Sequence, residues 1–163
     1  VHAGTHADGP LHFSDLGPPV GELPLDAYIG PAIVVDARGR DVIDDATLAG
    51  VELNGVERVL FCTHGGGDAA VFPGDFATLD PALVERLGEA GVRLVGTDAP
   101  SVDPLNSTTL DAHHALAARG IAILENLALH DVAPGRYTLI ALPLRLIEAD
   151  SSPVRAVLVD GQD

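Results

Sequence analysis

The sequence predicts an α/β fold with at least some parallel strand pairing. Three observations carry this. Apolar, β-branched runs alternate along the chain with helical patterns, the order expected of strand–helix–strand units. Two of the helical patterns are closed by glycine, Gly91 and Gly120. At 163 residues the chain has the length of one domain able to bury a sizeable core.

The elements follow in order. VHAGTHADGPLH at 1–12 reads as extended, because His2, His6, Asp8 and His12 share one parity and a strand would project them from one face. A helix would also pair His2 with His6, but Gly4, Gly9 and Pro10 disfavour one and Asp8 would turn away. Residues 13–30 are rich in Pro and Gly and read as loop and turns. PAIVVDA at 31–37 is a strand, DDATLAGV at 44–51 a short helix with an Asp cap, and ERVLFCT at 57–63 a second strand. THGGGD at 63–68 reads as a flexible loop. LDPALVERLGEAG at 79–91 is an amphipathic helix, with Asp80 as cap and Pro81 in its first turn. VRLVGTD at 92–98 is a strand, TTLDAHHALAARG at 108–120 a helix and IAILEN at 121–126 a strand. Residues 137–148 and 152–160 read as two last strands.

Composition narrows the function classes. A formal net charge of −15 argues against nucleic acid or an anionic membrane surface as partner. No apolar run approaches the roughly 20 residues of a membrane span, and no secretory leader is visible. Cys62 is alone, so no intrachain disulfide forms, and in the apolar stretch RVLFC it reads as a core residue. The missing leader and single thiol give a cytoplasmic expectation. The chain has no Met and its first motif begins at residue 2, which leads to the expectation of a single domain over 1–163 lacking its N-terminal strands.

Imidazole and carboxylate on one face suit zinc or a similar divalent metal. His6 and Asp8 stand two apart, and His2 can close a third ligand position, leaving room for water as catalytic sites do. Single histidines also occur in turns and caps, and an Asp before Gly-Pro is a common turn; the four groups within eleven residues are what favour a metal. In DAHH at 111–114, neighbouring residues of a helix point about 100° apart, so at most one of His113 and His114 faces a given site. Glu125 is a carboxylate ending an apolar strand, either bound to something or capping a loop. HGGG at 64–67 is similar to the oxyanion loop of some lipases, but no G-x-S-x-G elbow occurs to supply a nucleophile. GTDAPSVDP at 96–104 has turn chemistry, yet follows a strand where α/β folds place binding loops.

HAGTHADGPLH resembles the H-x-G-T-H-x-D-x-P-x-H signature of the metal-dependent cyclase/formamidase superfamily. VGTDAPSVDP, TLDAHH and AILEN resemble its bacterial kynurenine formamidase branch, and the likeness continues through YTLIALPLRL and SPVRAVL. The resemblance implies a swivelling β/β/α-type fold with a mixed sheet, a homodimer and two divalent metal ions per subunit, zinc first and manganese as the alternative. It implies His2, His6 and Asp8 on one metal, with Asp8 and Glu125 bridging to a second that His113 completes. His12 matches the family's general acid/base, while His114, His64 and His130 have no implied role. The implied reaction is hydrolysis of N-formyl-L-kynurenine to L-kynurenine and formate by a metal-activated water, a step in tryptophan breakdown. Rival readings are an isatin hydrolase-like or other cyclic-amide hydrolase of the same superfamily, a truncated metal-binding protein without turnover, and a plain α/β interaction domain.

Overall fold

Four of the apolar runs pair in parallel at the centre of one sheet. They are β2 (Ile29–Asp36), β4 (Arg58–Cys62), β6 (Leu94–Thr97) and β7 (Ala122–Glu125). The computed structural model describes residues 2–64 and 71–160. Residues 65–68 of the THGGGD loop, and residue 1, lie outside the described residues.

Antiparallel strands flank this centre. β8 (Gly135–Ile140) pairs with β2, and β10 (Val157–Asp160) with β8. On the other side β1 (His6–Asp8) pairs with β7, and β9 (Ser151–Pro153) with β1. The strand order is thus β10-β8-β2-β4-β6-β7-β1-β9. β9 and β10 stand at opposite ends of that order, yet only residues 154–156 join them. Three residues span at most about 10–11 Å, so the mixed sheet curls until its two edges approach. Two helices, α1 (Pro81–Glu89) and α2 (Asp111–Ala118), cover one face. Asp80 caps α1 through the N–H of Ala82, with Pro81 at the first position. Gly91 and Gly120 end the helical segments at φ 83° and 65°, values that a side chain disfavours.

Each face of the sheet has its own apolar core. Val59, Phe61, Val95 and Ile123 pack under α1 and α2 with Leu83, Leu87 and Leu116. Leu60, Leu94, Leu124, Tyr28 and Leu139 fill the other. The parallel strands are therefore apolar on both faces, as strands buried on both sides must be.

Several expectations are corrected. Only His6–Asp8 of residues 2–12 is strand; Gly4, at φ 80°, turns the chain before it, and Pro10–His12 is a 3₁₀ turn. The helix expected at 44–51 is a 3₁₀ turn, Asp45–Leu48, closed by reciprocal bonds between Asp44 and Thr47. The strand expected over 137–148 stops at Ile140, because Pro143 has no N–H for a ladder and Leu144 N–H donates to Ser152 Oγ instead. The run 152–160 divides into β9 and β10 at opposite sheet edges. A small parallel pair, β3 (Val42–Ile43) with β5 (Thr78–Leu79), was not expected.

Candidate metal centre

β1 delivers two candidate ligands by alternation. His6 and Asp8 are buried on one face, and the register sets Glu125, the last residue of β7, opposite His6. α2 packs against this face and contributes His113, which is also buried. Its neighbour His114 is exposed, which resolves the DAHH ambiguity geometrically. His2 arrives by a different route: the turn at Gly4 folds its ring back over β1.

The donor atoms form two triangles that share Asp8. His2 Nδ1 and His6 Nε2 are 3.0 Å apart, and each is 3.2 Å from Asp8 Oδ1. His113 Nε2 lies 3.4 Å from Asp8 Oδ2 and 3.5 Å from Glu125 Oε1, while Glu125 Oε2 lies 3.5 Å from His6 Nε2. Tetrahedral zinc with bonds of about 2.0–2.1 Å sets its ligand atoms about 3.3 Å apart, close to the three sides of the first triangle and to the two His113 sides of the second. Asp8 Oδ1 is buried without a hydrogen bond even though two imidazole nitrogens approach it. The three atoms lie within 3.2 Å of one another. The residues present therefore fit a divalent cation.

Electrostatics point the same way. Burial opposes charge on His6, but Asp8 and Glu125 outweigh it and raise the imidazole to about 10. Burial likewise opposes charge on His113, and Asp103 with Asp8 raises it to about 9. Burial would raise the Asp8 carboxyl, but His113, His2 and His6 hold it well below the usual carboxylate range. A pocket with these preferences attracts positive charge, whether proton or metal.

Each imidazole is held by its second nitrogen. His6 Nδ1 donates to the Gly4 carbonyl at 2.8 Å. His113 Nδ1 donates to Asp103 Oδ2 at 2.6 Å. Asp103 also accepts from the N–H groups of Ala112 and His113, and so caps α2, whose own cap position Leu110 supplies no side-chain bond. His2 Nε2 approaches Asp150 Oδ2 at 3.3 Å. Such partners fix the tautomer and orientation of metal-binding imidazoles. Asp103 lies in the GTDAPSVDP loop that its position had flagged; Asp150, between two expected strands, carried no sequence signal. Among the described residues, the non-glycine positions with positive φ are Leu110, Asn126 and Glu148, close in sequence to His113, Glu125 and Asp150. Backbone in this region costs of order 1–3 kcal/mol and collects at functional sites.

His12 belongs to neither triangle. Its ring centroid is 4.1 Å from that of His2 and 5.7 Å from that of His113, and burial lowers its pKa. An apolar cavity of about 250 Å³ borders Asp8, lined by Phe13, Leu23, Tyr28 and Ile123 among others. The remaining histidines stand apart: His64 bonds to Asp98, and His130 pairs with Asp131 at the surface. Burial pushes the Cys62 thiol up to about 11, which suits a core residue and not a nucleophile. No helix among the described residues is long and apolar enough to cross a membrane.

Comparison with known proteins gives three further findings. The Cyclase family model, described as "Putative cyclase", matches residues 1–104. A kynurenine formamidase of Sphingopyxis alaskensis is 50% identical over 161 residues, covering 97% of this chain and 76% of the relative. Among solved structures, one described as "The Structure Of Potential Metal-Dependent Hydrolase With Cyclase Activity" superposes with a TM-score of 0.88 at 32% identity, covering 100% of this chain and 81% of the other. An isatin hydrolase A of Ralstonia solanacearum superposes at 0.79 with 25% identity, covering 98% and 72%.

Proposed function

The chain belongs to the cyclase family, and on that premise we propose that it is a metal-dependent hydrolase converting N-formyl-L-kynurenine to L-kynurenine and formate. The observation that carries the reading is the pair of donor triangles sharing Asp8. The 50% identity to a kynurenine formamidase, against 25% to an isatin hydrolase, favours a linear formamide over a cyclic amide.

His2, His6 and Asp8 would hold one divalent ion, and Asp8, His113 and Glu125 a second, with zinc the metal that suits this donor set. Bound there, divalent ions supply Lewis acidity and bring the pKa of water toward neutrality. The chain's own residues do the rest. Asp8 and Glu125 each present both oxygens to the site and set the spacing of its two halves. His12, half-buried with a lowered pKa, is a free base near neutral pH. It takes the proton of the water whose oxygen bonds to the formyl carbon. As the C–N bond breaks, His12 returns that proton to the aryl amine nitrogen, and the formic acid that forms with the water's second proton loses it to solvent and departs as formate. Phe13, Leu23 and Tyr28 offer the aryl ring an apolar surface beside Asp8. The protein works as a homodimer, a reading supported by the exposed apolar side chains Leu142, Leu144 and Ile147.

The test is hydrolysis of N-formyl-L-kynurenine by the purified chain, followed by kynurenine absorbance, with chelator and then with zinc restored. Chelator-sensitive, zinc-rescued turnover is expected. Metal-independent turnover, or hydrolysis of isatin in preference to the formamide, would overturn the assignment.

A further inference from the structure

We infer that Asp150 is a positioning residue that orients two imidazoles at once, His2 and His12. This rests on the reading above, in which His2 binds metal and His12 moves a proton.

The backbone fixes where Asp150 stands. Its carbonyl accepts from Gly9 N–H at 2.7 Å, and the carbonyl of Ala149 accepts from Val20 N–H at 2.9 Å. The next residue, Ser151, enters β9 opposite Asp8. A Cβ on Gly9 would come within 2.7 Å of the Val20 nitrogen and 3.1 Å of the Asp150 carbonyl oxygen, so the two segments approach closely only because residue 9 is glycine. Glu148, at φ 58°, bends the chain into this approach. The root of the Asp150 side chain is thereby tied to the segment that carries Asp8 and His12.

From that root the carboxylate reaches both rings. Asp150 Oδ2 is 3.3 Å from His2 Nε2 and 3.7 Å from His12 Nδ1. His2 Nδ1 belongs to the donor triangle and must present a lone pair there, so the ring proton sits on Nε2 and needs an acceptor. His6 and His113 show the same division of labour through Gly4 and Asp103. His2 needs it most, because it precedes β1 and no strand ladder orients it. For His12, an acceptor facing Nδ1 leaves Nε2 free to exchange protons with water and the leaving amine. Contacts of this kind are often long without substrate and tighten with it.

The test compares the zinc-loaded parent chain with Asp150→Asn and Asp150→Ala. Zinc affinity is measured by competition with a chromophoric chelator, and ring tautomers by long-range ¹H–¹⁵N NMR. Zinc affinity is expected to fall about 10–100-fold in Asp150→Ala, with kcat falling and KM nearly unchanged. The tautomer signals of His2 and His12 move while those of His6 and His113 stay, a selectivity that loose packing would not produce. Circular dichroism of Asp150→Asn, which keeps the shape, checks that the fold is retained. Unchanged zinc affinity and tautomers in both variants, with a zinc-binding parent, would overturn this inference alone. A parent chain that binds no zinc would overturn it together with the reading on which it rests.

Discussion

Replacing Asp103 by Asn separates what holds α2 from what aims His113. Asp103 is buried and accepts three N–H groups: Ala112 N at 2.9 Å on Oδ1, and His113 N at 3.0 Å and His113 Nδ1 at 2.6 Å on Oδ2. Asparagine has the same shape but one acceptor. With its oxygen toward His113, its NH₂ faces the Ala112 N–H, donor against donor. In the other orientation it faces both His113 donors. The better choice still loses one cap bond and turns charge-assisted bonds into neutral ones, a loss of about 2–4 kcal/mol of stability in the metal-free protein. The worse choice drives the ring proton onto Nε2, where it points at Asp8 and Glu125 in place of a lone pair. Weakened orientation should lower metal affinity about 10–100-fold, or about 1.4–2.8 kcal/mol. Urea unfolding with chelator measures the first quantity, and zinc competition on the folded protein the second. Zinc affinity equal to that of the parent, alongside the lost stability, would show that Asp103 serves only as a helix cap and would refute the reasoning about His113.

Further outcomes follow from the same geometry. His12→Ala should keep its zinc stoichiometry and lose about 10²–10⁴-fold in turnover; hydrolysis at the parent rate would remove His12 from the reaction. In the chelated protein, His6 and His113 are raised from 6.5 to about 10 and about 9, so their stabilisation is complete below 6.5 and lost as pH rises through 9–10. The melting temperature of the metal-free chain should therefore fall between pH 7 and 10, while zinc, which displaces the same protons, binds more tightly as pH rises; a flat or rising metal-free profile would contradict this. Arg58 is buried and donates to the carbonyls of Asp26, Ala27 and Pro31. Arg58→Met should cost about 3–5 kcal/mol in urea unfolding and leave the zinc stoichiometry intact; a loss of zinc would mean that this distant clamp shapes the centre.

What the sequence made legible was local. The alternation of His6 and Asp8, the odd carboxylate Glu125 in an apolar strand, and the Asp80-Pro81 and Gly91 punctuation of α1 each follow from neighbours in the chain, and each matches the structure. Parity failed for His2 and His12, because Gly4 and Pro10 end the strand on either side. The resemblance supplied what spacing alone did not, the choice of His113 over His114. Asp150 was not legible, having no local pattern, and for Asp103 the sequence marked the loop but not what the carboxylate holds. They acquire meaning only when a loop after β6 meets α2, and when β9 closes beside β1. The split of 152–160 was hidden for the same reason: its residues favour extended backbone throughout, and only the curl of the sheet sends its two halves to opposite edges.

The placement of β1 between β7 and β9 has a consequence for the order in which the protein comes into being. β1 carries His6 and Asp8, yet both of its neighbours lie more than a hundred residues later in the chain. At translation rates of about 5–20 residues per second, on the order of 10 s passes between the emergence of β1 from the ribosome and that of β9. Asp103 meets His113 soon after both are made, but β1 has no partner in the sheet until β7 emerges, and Asp150 faces His2 only once β9 follows. A centre built from these residues would therefore be completed late, when β1 is paired on both of its sides.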